Sequence, residues 1–283
     1  MTEDSDTLAA ALADRTLQLA VLFDALRERD RMDAAQGEWD FALRLQTGGL
    51  PNEFPPFPDQ KEFDIRGGMV TAFEVGGDVY DFFFIDDRHL GFVVADAAGK
   101  GLPAARFITN MRSILSSASR RVADPGECLT VVNQLLCFDN PERLFATAFY
   151  GILDTETGDV SFANAGHNPP VHLTRDGVTT PLAHVRAPIL GMFEAARYTT
   201  GTLALAPGDT LCCFSDGVTE AHSPAKELFG DARLSETLGT NASADLATLE
   251  ARVVGAVDQF IGSAAIADDL TLLLVRWNGR AAT

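Results

Sequence analysis

Residues 145–165 read FATAFYGILDTETGDVSFANA, two apolar runs separated by the polar, glycine-containing segment DTETGD at 154–159. The runs FATAFYGIL (145–153) and VSFANA (160–165) are rich in aromatic and β-favouring residues, and the gap is too short for a helix. Two such runs joined this tightly predict an antiparallel hairpin. The pattern repeats along the chain. FFFI (82–85) and LGFVVA (90–95) flank Asp86-Asp87-Arg88, and VHL (171–173) leads into the Asp176-Gly177 turn. TLAL (202–205) and TLCCF (210–214) flank Ala206-Pro207-Gly208-Asp209 and are expected to form a further hairpin. Helical stretches are predicted at about 103–121, opening with Pro103, at 126–138 and near 244–262. Strands and helices in separate groups predict an α+β architecture, with helices packed on antiparallel sheets.

Outward from this block, residues 5–48 read as a helical arm. Leu12, Leu19 and Leu26 recur every seven residues, and Met32, Ala35, Trp39 and Ala42 continue the stripe in a new phase. Such a stripe suits a coiled-coil seam or a helix packed on the following domain. Two or three heptads do not fix an oligomeric state, and Arg15 and Arg29 fall on the seam, so a homodimer through 5–48 and a passive packing helix both stay open. The prolines of LPNEFPPFPD (50–59) stop the helix. The expected organisation is an arm at 1–49, a proline-rich hinge at 50–60, a catalytic domain at 61–277 and a tail at 278–283.

Composition narrows the function. Apolar residues make up 46% of the chain and charged residues 22%, as in ordinary globular proteins. No apolar run approaches a membrane span, and the acidic start MTEDSDTLAA lacks the basic region of a secretory signal, so a cytoplasmic protein without membrane partners is expected. Four cysteines without CxxC spacing suit buried thiols rather than a disulfide frame or a zinc site. The net charge of −18 argues against nucleic acid as a partner. It also means that a phosphate ligand would need local positive charge from bound metal or clustered cations.

The acidic residues fall at strand ends. Asp78 follows Gly76-Gly77, Asp96 closes the run Phe92–Ala95, Asp216 follows Cys212–Ser215, and Asp268 and Asp269 open the last strand, LTLLLV (270–275). Each alone reads as a turn residue, because an aspartate side chain readily bonds nearby backbone N–H groups. Together at the edge of an apolar core they would need protons, solvent or a cation, and hard divalent ions take such oxygen ligands. Spacing alone does not tell whether they meet. Gly77 would allow close chain approach, and Gly99-Lys100-Gly101 before the Pro103 helix is either a structural turn or a phosphate cradle. Asn164 and His167 end a strand; His167 is either a proton donor or a hydrogen-bonded turn residue. No GxSxG elbow is present, which agrees with chemistry that needs no covalent serine intermediate.

GGDVYDFFFIDD (76–87), VVADAAGKGLPAA (93–105), FATAFYGILDTETGDVSFANAGHNPP (145–170), PGDTLCCFSDGVTEA (207–221) and ADDLTLLLV (267–275) resemble, in order, the motifs of the PPM-type (PP2C-like) serine/threonine phosphatases, in the sporulation-phosphatase and stress-regulator branch. WDFALRLQTGGLPNEFP (39–55) resembles the linker helix preceding this domain in that branch. The resemblance implies two stacked antiparallel sheets flanked by helices and a site for two Mn²⁺ or Mg²⁺ ions. It implies a phosphoprotein substrate, such as an anti-sigma-factor antagonist; the arm's stripe and proline-rich hinge suggest an upstream regulatory protein acting on the arm, with a passive packing helix as the alternative. By motif position Asp78, Asp96, Asp216 and Asp268 would hold the metals, with the carbonyl of Ala97 as a further ligand. Asp269 would sit beside them and orient a water or a ligand; Gly77, Asn164 and His167 would support the site or its substrate. Ala97-Ala98 departs from the branch's usual valine and serine, and a lost hydroxyl at Ala98 bears on the hydrogen bonding around the site. A catalytically weak, partner-binding module is the alternative.

Overall fold

The computed structural model describes residues 50–72, 76–138, 140–183 and 187–280. The helical arm expected at 5–48, with its seam, linker helix and dimer, lies outside the described residues. Among the described residues, ten strands form two five-stranded antiparallel sheets. In chain order they are β1 (Phe63–Val70), β2 (Asp78–Phe84), β3 (His89–Ala97), β4 (Ala146–Asp154), β5 (Asp159–Ala165), β6 (Val171–Leu173), β7 (Thr179–Pro181), β8 (Gly201–Ala204), β9 (Thr210–Phe214) and β10 (Leu270–Trp277). One sheet runs β1-β10-β9-β6-β7 and the other β2-β3-β4-β5-β8. Helices α1 (Leu102–Ser119) and α2 (Pro125–Phe138) cover the second sheet; α4 (Gly230–Thr240) and α5 (Leu246–Ile261) cover the first, and α3 (Asp216–Thr219) is a single turn. This is the expected α+β sandwich.

Three apolar layers follow from this stacking. Side chains alternate across a strand, so Leu273 and Val275 of β10 face the other sheet while Leu272 and Leu274 face α5. That is why LTLLLV has no polar alternation: both faces of β10 are covered. The inter-sheet layer holds Phe82, Phe92, Phe149 and Phe162, with Phe149 and Phe162 stacked at 5.5 Å between ring centroids. On the far side, Ile108, Met111 and Leu115 of α1 pack against Val93, Ala95 and Tyr150 at helical spacing.

The predicted hairpins β2–β3, β4–β5 and β6–β7 are present with close register. At the β2–β3 turn Asp86 Oδ1 accepts from the amides of Arg88 (2.9 Å) and His89 (2.8 Å), which fixes the reversal. The pairing expected between 202–205 and 210–214 is corrected. β8 pairs with β5 in one sheet, whereas β9 lies between β10 and β6 in the other. The turn at 206–209 therefore carries the chain between layers. The burial patterns explain this: β8 is a half-exposed edge strand and β9 is buried throughout. The proline-rich segment packs on the sandwich edge, where Phe54 and Phe57 meet the inter-sheet layer and Tyr80 Oη donates to the Pro51 carbonyl at 2.7 Å.

Candidate metal centre

The register of β2 and β3 places Asp78 directly opposite Asp96. Partnered residues on antiparallel strands project from the same face, so the two carboxylates stand side by side, and a side-chain hydrogen bond links them. Asp78 also reaches the other sheet, where Thr271 Oγ1 of β10 donates to its Oδ2 at 2.6 Å. β9 and β10 are neighbours, so the end of β9 and the start of β10 lie together. Asp216 begins α3 directly after β9, and Asp268 and Asp269 directly precede β10. Ser215 bridges the two ends: its Oγ donates to the Asp269 carbonyl at 3.1 Å and accepts from the Thr271 amide at 3.0 Å. Carboxylates from both sheets thus gather at one end of the sandwich.

Asp269 is the buried post around which this end is built. Its Oδ1 accepts from the Ala72 amide at 2.8 Å, and its Oδ2 from the amides of Gly77 at 2.8 Å and Asp78 at 3.4 Å. Both oxygens are therefore occupied in tying the chain before β2 to the start of β10. Glycine is what allows the approach. A Cβ on Gly76 would stand 2.1 Å from Asp269 Oδ2, and one on Gly217 would stand 2.0 Å from the Asp269 carbonyl oxygen. A Cβ on Gly77 would meet the Ala97 carbonyl oxygen at 2.7 Å and Asp96 Oδ1 at 3.2 Å. The Ala97 carbonyl therefore lies close to the Asp96 carboxylate.

Crowding perturbs these acids in one direction. Burial, reinforced by the Asp96 charge, drives the Asp78 carboxyl well above its ordinary value, although the Ser215 and Thr271 hydroxyls pull it back. Burial and then the charges of Asp216, Asp268 and Asp269 push Asp96 up to about 7. Asp216 is raised by burial, then by Glu220 and Asp268. Without a cation, this end of the protein holds protons that ordinary carboxylates release. The donor set, hard oxygens with excess negative charge, fits Mg²⁺ or Mn²⁺ and would suit neither a soft metal nor an anion. Among the described residues no three His, Cys, Asp or Glu side chains are arranged as a closed ligand cage. The carboxylates are gathered without converging on one point.

The remaining sequence candidates sit behind or beside this group. His167 is 2% exposed, and burial lowers its ring to about 4, so it is neutral near pH 7; the Phe214 backbone offsets only part of that shift. Its amide donates to Asn164 Oδ1 at 2.7 Å, and Asn164 Nδ2 donates to the His167 carbonyl at 2.9 Å, which closes the turn after β5. Gly99 and Gly101 have φ of 99° and 80°, so the loop before α1 needs glycine at both positions. Between them Lys100 Nζ donates to the Ala267 carbonyl at 2.9 Å and lies 3.9 Å from Asp268. Sequence reasoning missed the hydroxyls of Ser215, Thr271 and Thr147. The available signal was a polar residue inside an otherwise apolar buried strand, as with Thr271 in LTLLLV.

Comparison with known proteins bears on the family and the fold. Residues 86–278 match the family model of stage II sporulation protein E (SpoIIE). Protein IcfG of Synechocystis sp. is 33% identical over 269 residues, 83% of this chain and 42% of that protein. Phosphoserine phosphatase RsbU of Bacillus subtilis is 27% identical over 166 residues, 59% of this chain and 49% of that protein. The chain thus spans less than half the length of either relative. The SiaA-PP2C domain of Pseudomonas aeruginosa superposes with a TM-score of 0.75 at 22% identity, covering 87% of this chain and 98% of that one, and so shares its fold. With the family motifs in order on a PP2C-like sandwich, the chain belongs to the SpoIIE family of PP2C-type phosphatase domains.

Proposed function

We propose that the protein is a metal-dependent phosphatase that hydrolyses phosphoserine or phosphothreonine on a regulatory phosphoprotein. The observation that carries this reading is the gathering of Asp78, Asp96, Asp216 and Asp268 from both sheets at one end of the sandwich. Asp78, Asp96 and the Ala97 carbonyl would hold Mn²⁺ or Mg²⁺, two ions in this proposal, from one sheet, and Asp216 and Asp268 from the other. When bound, such ions supply a water acidified to a nucleophile and positive charge for the phosphoryl oxygens.

The chain's own residues do the rest. The raised Asp78 and Asp96 carboxyls would favour a bound cation, whose charge would offset the repulsion and let both stand ionised. Asp269 keeps the Gly76–Asp78 backbone seated, which holds Asp78 opposite Asp96. Lys100, at the rim beside Asp268, adds a cation within reach of an incoming phosphate. Together these groups would orient an in-line attack on phosphorus without a covalent enzyme intermediate. The name of RsbU, a phosphoserine phosphatase, supports the substrate class. An upstream partner acting through the arm, and a homodimer through 5–48, belong to this proposal and rest on residues outside those described.

The test is Mn²⁺-dependent release of phosphate from a phosphoserine peptide or p-nitrophenyl phosphate. Asp216→Asn should abolish turnover, and full activity in excess chelator would overturn the proposal. The open arrangement of the carboxylates favours one second reading, a weak or inactive partner-binding module. Tight binding of a regulatory protein with no turnover in Mn²⁺ would select it.

A further inference from the structure

Next to the carboxylates stands a polar pair that the proposed chemistry leaves without a task. Thr147 of β4 is the register partner of Asp96. Partnered side chains share a face and stand about 4.5–5.5 Å apart at Cβ. Both residues are partly exposed and stand on the same face of the sheet. From the interior side, His167 Nδ1 meets Thr147 Oγ1 at 2.7 Å. The ring is buried, and the reciprocal bonds with Asn164 fix its backbone. Its Nε2 makes no hydrogen bond of good geometry among the described residues.

That combination is costly for stability alone. A buried polar atom with only a poorly aligned partner, here the Phe214 backbone, costs stability, and an apolar side chain would fill the same space without that cost. Among the described residues, the ring's one bond of good geometry is the one to Thr147. Hydroxyls of threonine occupy a few staggered rotamers, and a fixed partner selects one of them. A residue that fixes the rotamer of Thr147 fixes where the hydroxyl stands relative to Asp96. Groups behind a metal ligand act in this way, and their loss typically lowers metal affinity by about 10–100-fold.

We infer that His167 and Thr147 are positioning residues of the metal centre: the imidazole sets the Thr147 hydroxyl, and the hydroxyl steadies the Asp96 carboxylate for a divalent ion. The inference rests on the metal centre proposed above. It gives the buried histidine a role through Thr147, away from any proton transfer to substrate.

The test is Mn²⁺ affinity by isothermal titration calorimetry, with thermal unfolding in chelator as a measure of folding. Thr147→Val keeps the shape and removes the hydroxyl; it should weaken Mn²⁺ binding by about tenfold, while the metal-free midpoint falls by no more than the several degrees expected from leaving His167 Nδ1 without its partner. Thr147→Ser should restore affinity. His167→Gln should weaken binding, and the double variant Thr147→Val/His167→Gln should be no weaker than Thr147→Val, since both changes act through one hydroxyl. Wild-type affinity in Thr147→Val, or losses that simply add in the double variant, would overturn the inference. If His167→Gln fails to fold, the valine and serine variants still decide. Absence of Mn²⁺ binding by the wild-type protein would instead overturn the metal centre itself.

Discussion

Asp96→Asn should stabilise the metal-free protein while destroying its response to metal. Asp96 stands opposite Asp78 and feels the charges of Asp216, Asp268 and Asp269, and its carboxyl is pushed from 3.8 up to about 7. A shift of that size corresponds to about 4 kcal/mol against the ionised form. Asp96 is partly open to solvent and shares its repulsion with Asp78, so screening removes about half and leaves ~2 kcal/mol. The sign follows from linkage. The folded value lies above the unfolded one, so the folded state binds the extra proton, and stability falls as pH rises from about 4 to about 7. Above that range the full cost is present. Asparagine has the same shape and no charge, so in chelator at pH 8 its unfolding midpoint should rise by about 4–8 °C for a domain of this size. At pH 4.5, where the carboxyl is mostly protonated in the folded state, the gain should largely vanish. With Mn²⁺ in excess the order should reverse, because wild type gains about 2.7 kcal/mol at a hundredfold excess over Kd and the variant gains little. Circular dichroism melts at the two pH values, with and without Mn²⁺, measure all four states. An Asp96→Asn midpoint equal to or below wild type in chelator at pH 8 would refute the reasoning.

Gly77→Ala should cost about 1–3 kcal/mol of stability and weaken Mn²⁺ binding, because its Cβ would stand 2.7 Å from the Ala97 carbonyl oxygen; chemical denaturation and calorimetry check this. Gly217→Ala should do the same from the other sheet, since its Cβ would fall 2.0 Å from the Asp269 carbonyl oxygen. His167, lowered to about 4 by burial, binds its proton more readily in the unfolded chain, so its contribution to stability is lost as pH falls from about 6.5 toward 4, by up to about 3 kcal/mol. A glutamine at that position should flatten this acid limb in pH-dependent denaturation. Arg112→Ala should destabilise by about 3 kcal/mol by stranding the buried Asp81 carboxylate, which Arg112 Nε binds at 2.6 Å, and Asp81→Asn in the same chain should recover much of the loss.

The hairpins were legible because both signals agreed: paired apolar runs, and turn residues such as Asp86 at the reversal. α1 was legible from Pro103 and the 3–4 spacing of Phe107, Ile108, Met111 and Leu115. β1 escaped because Gly67 and Gly68 interrupt it; those glycines make room for the Tyr80 ring and the Glu250 carboxylate, contacts that exist only in the folded protein. α4 escaped because two core positions, Leu234 and Leu238, are a thin stripe. The β8–β9 error came from reading a short turn as a pairing, when the two strands differ in burial and belong to different layers. At the candidate site the carboxylates were legible as strand-end residues, and the resemblance ordered them. The supporting hydroxyls of Ser215, Thr271 and Thr147 were not, because their partners lie across sheet register that local spacing does not encode.

The most direct measurement is an anomalous difference map from crystals soaked in Mn²⁺. The account expects peaks at the end of the sandwich, within about 2–2.5 Å of Asp78 and Asp96 oxygens and of the Ala97 carbonyl, with Asp216 and Asp268 closing the site. A map with no peak among these carboxylates, at Mn²⁺ concentrations that saturate binding in solution, would contradict it.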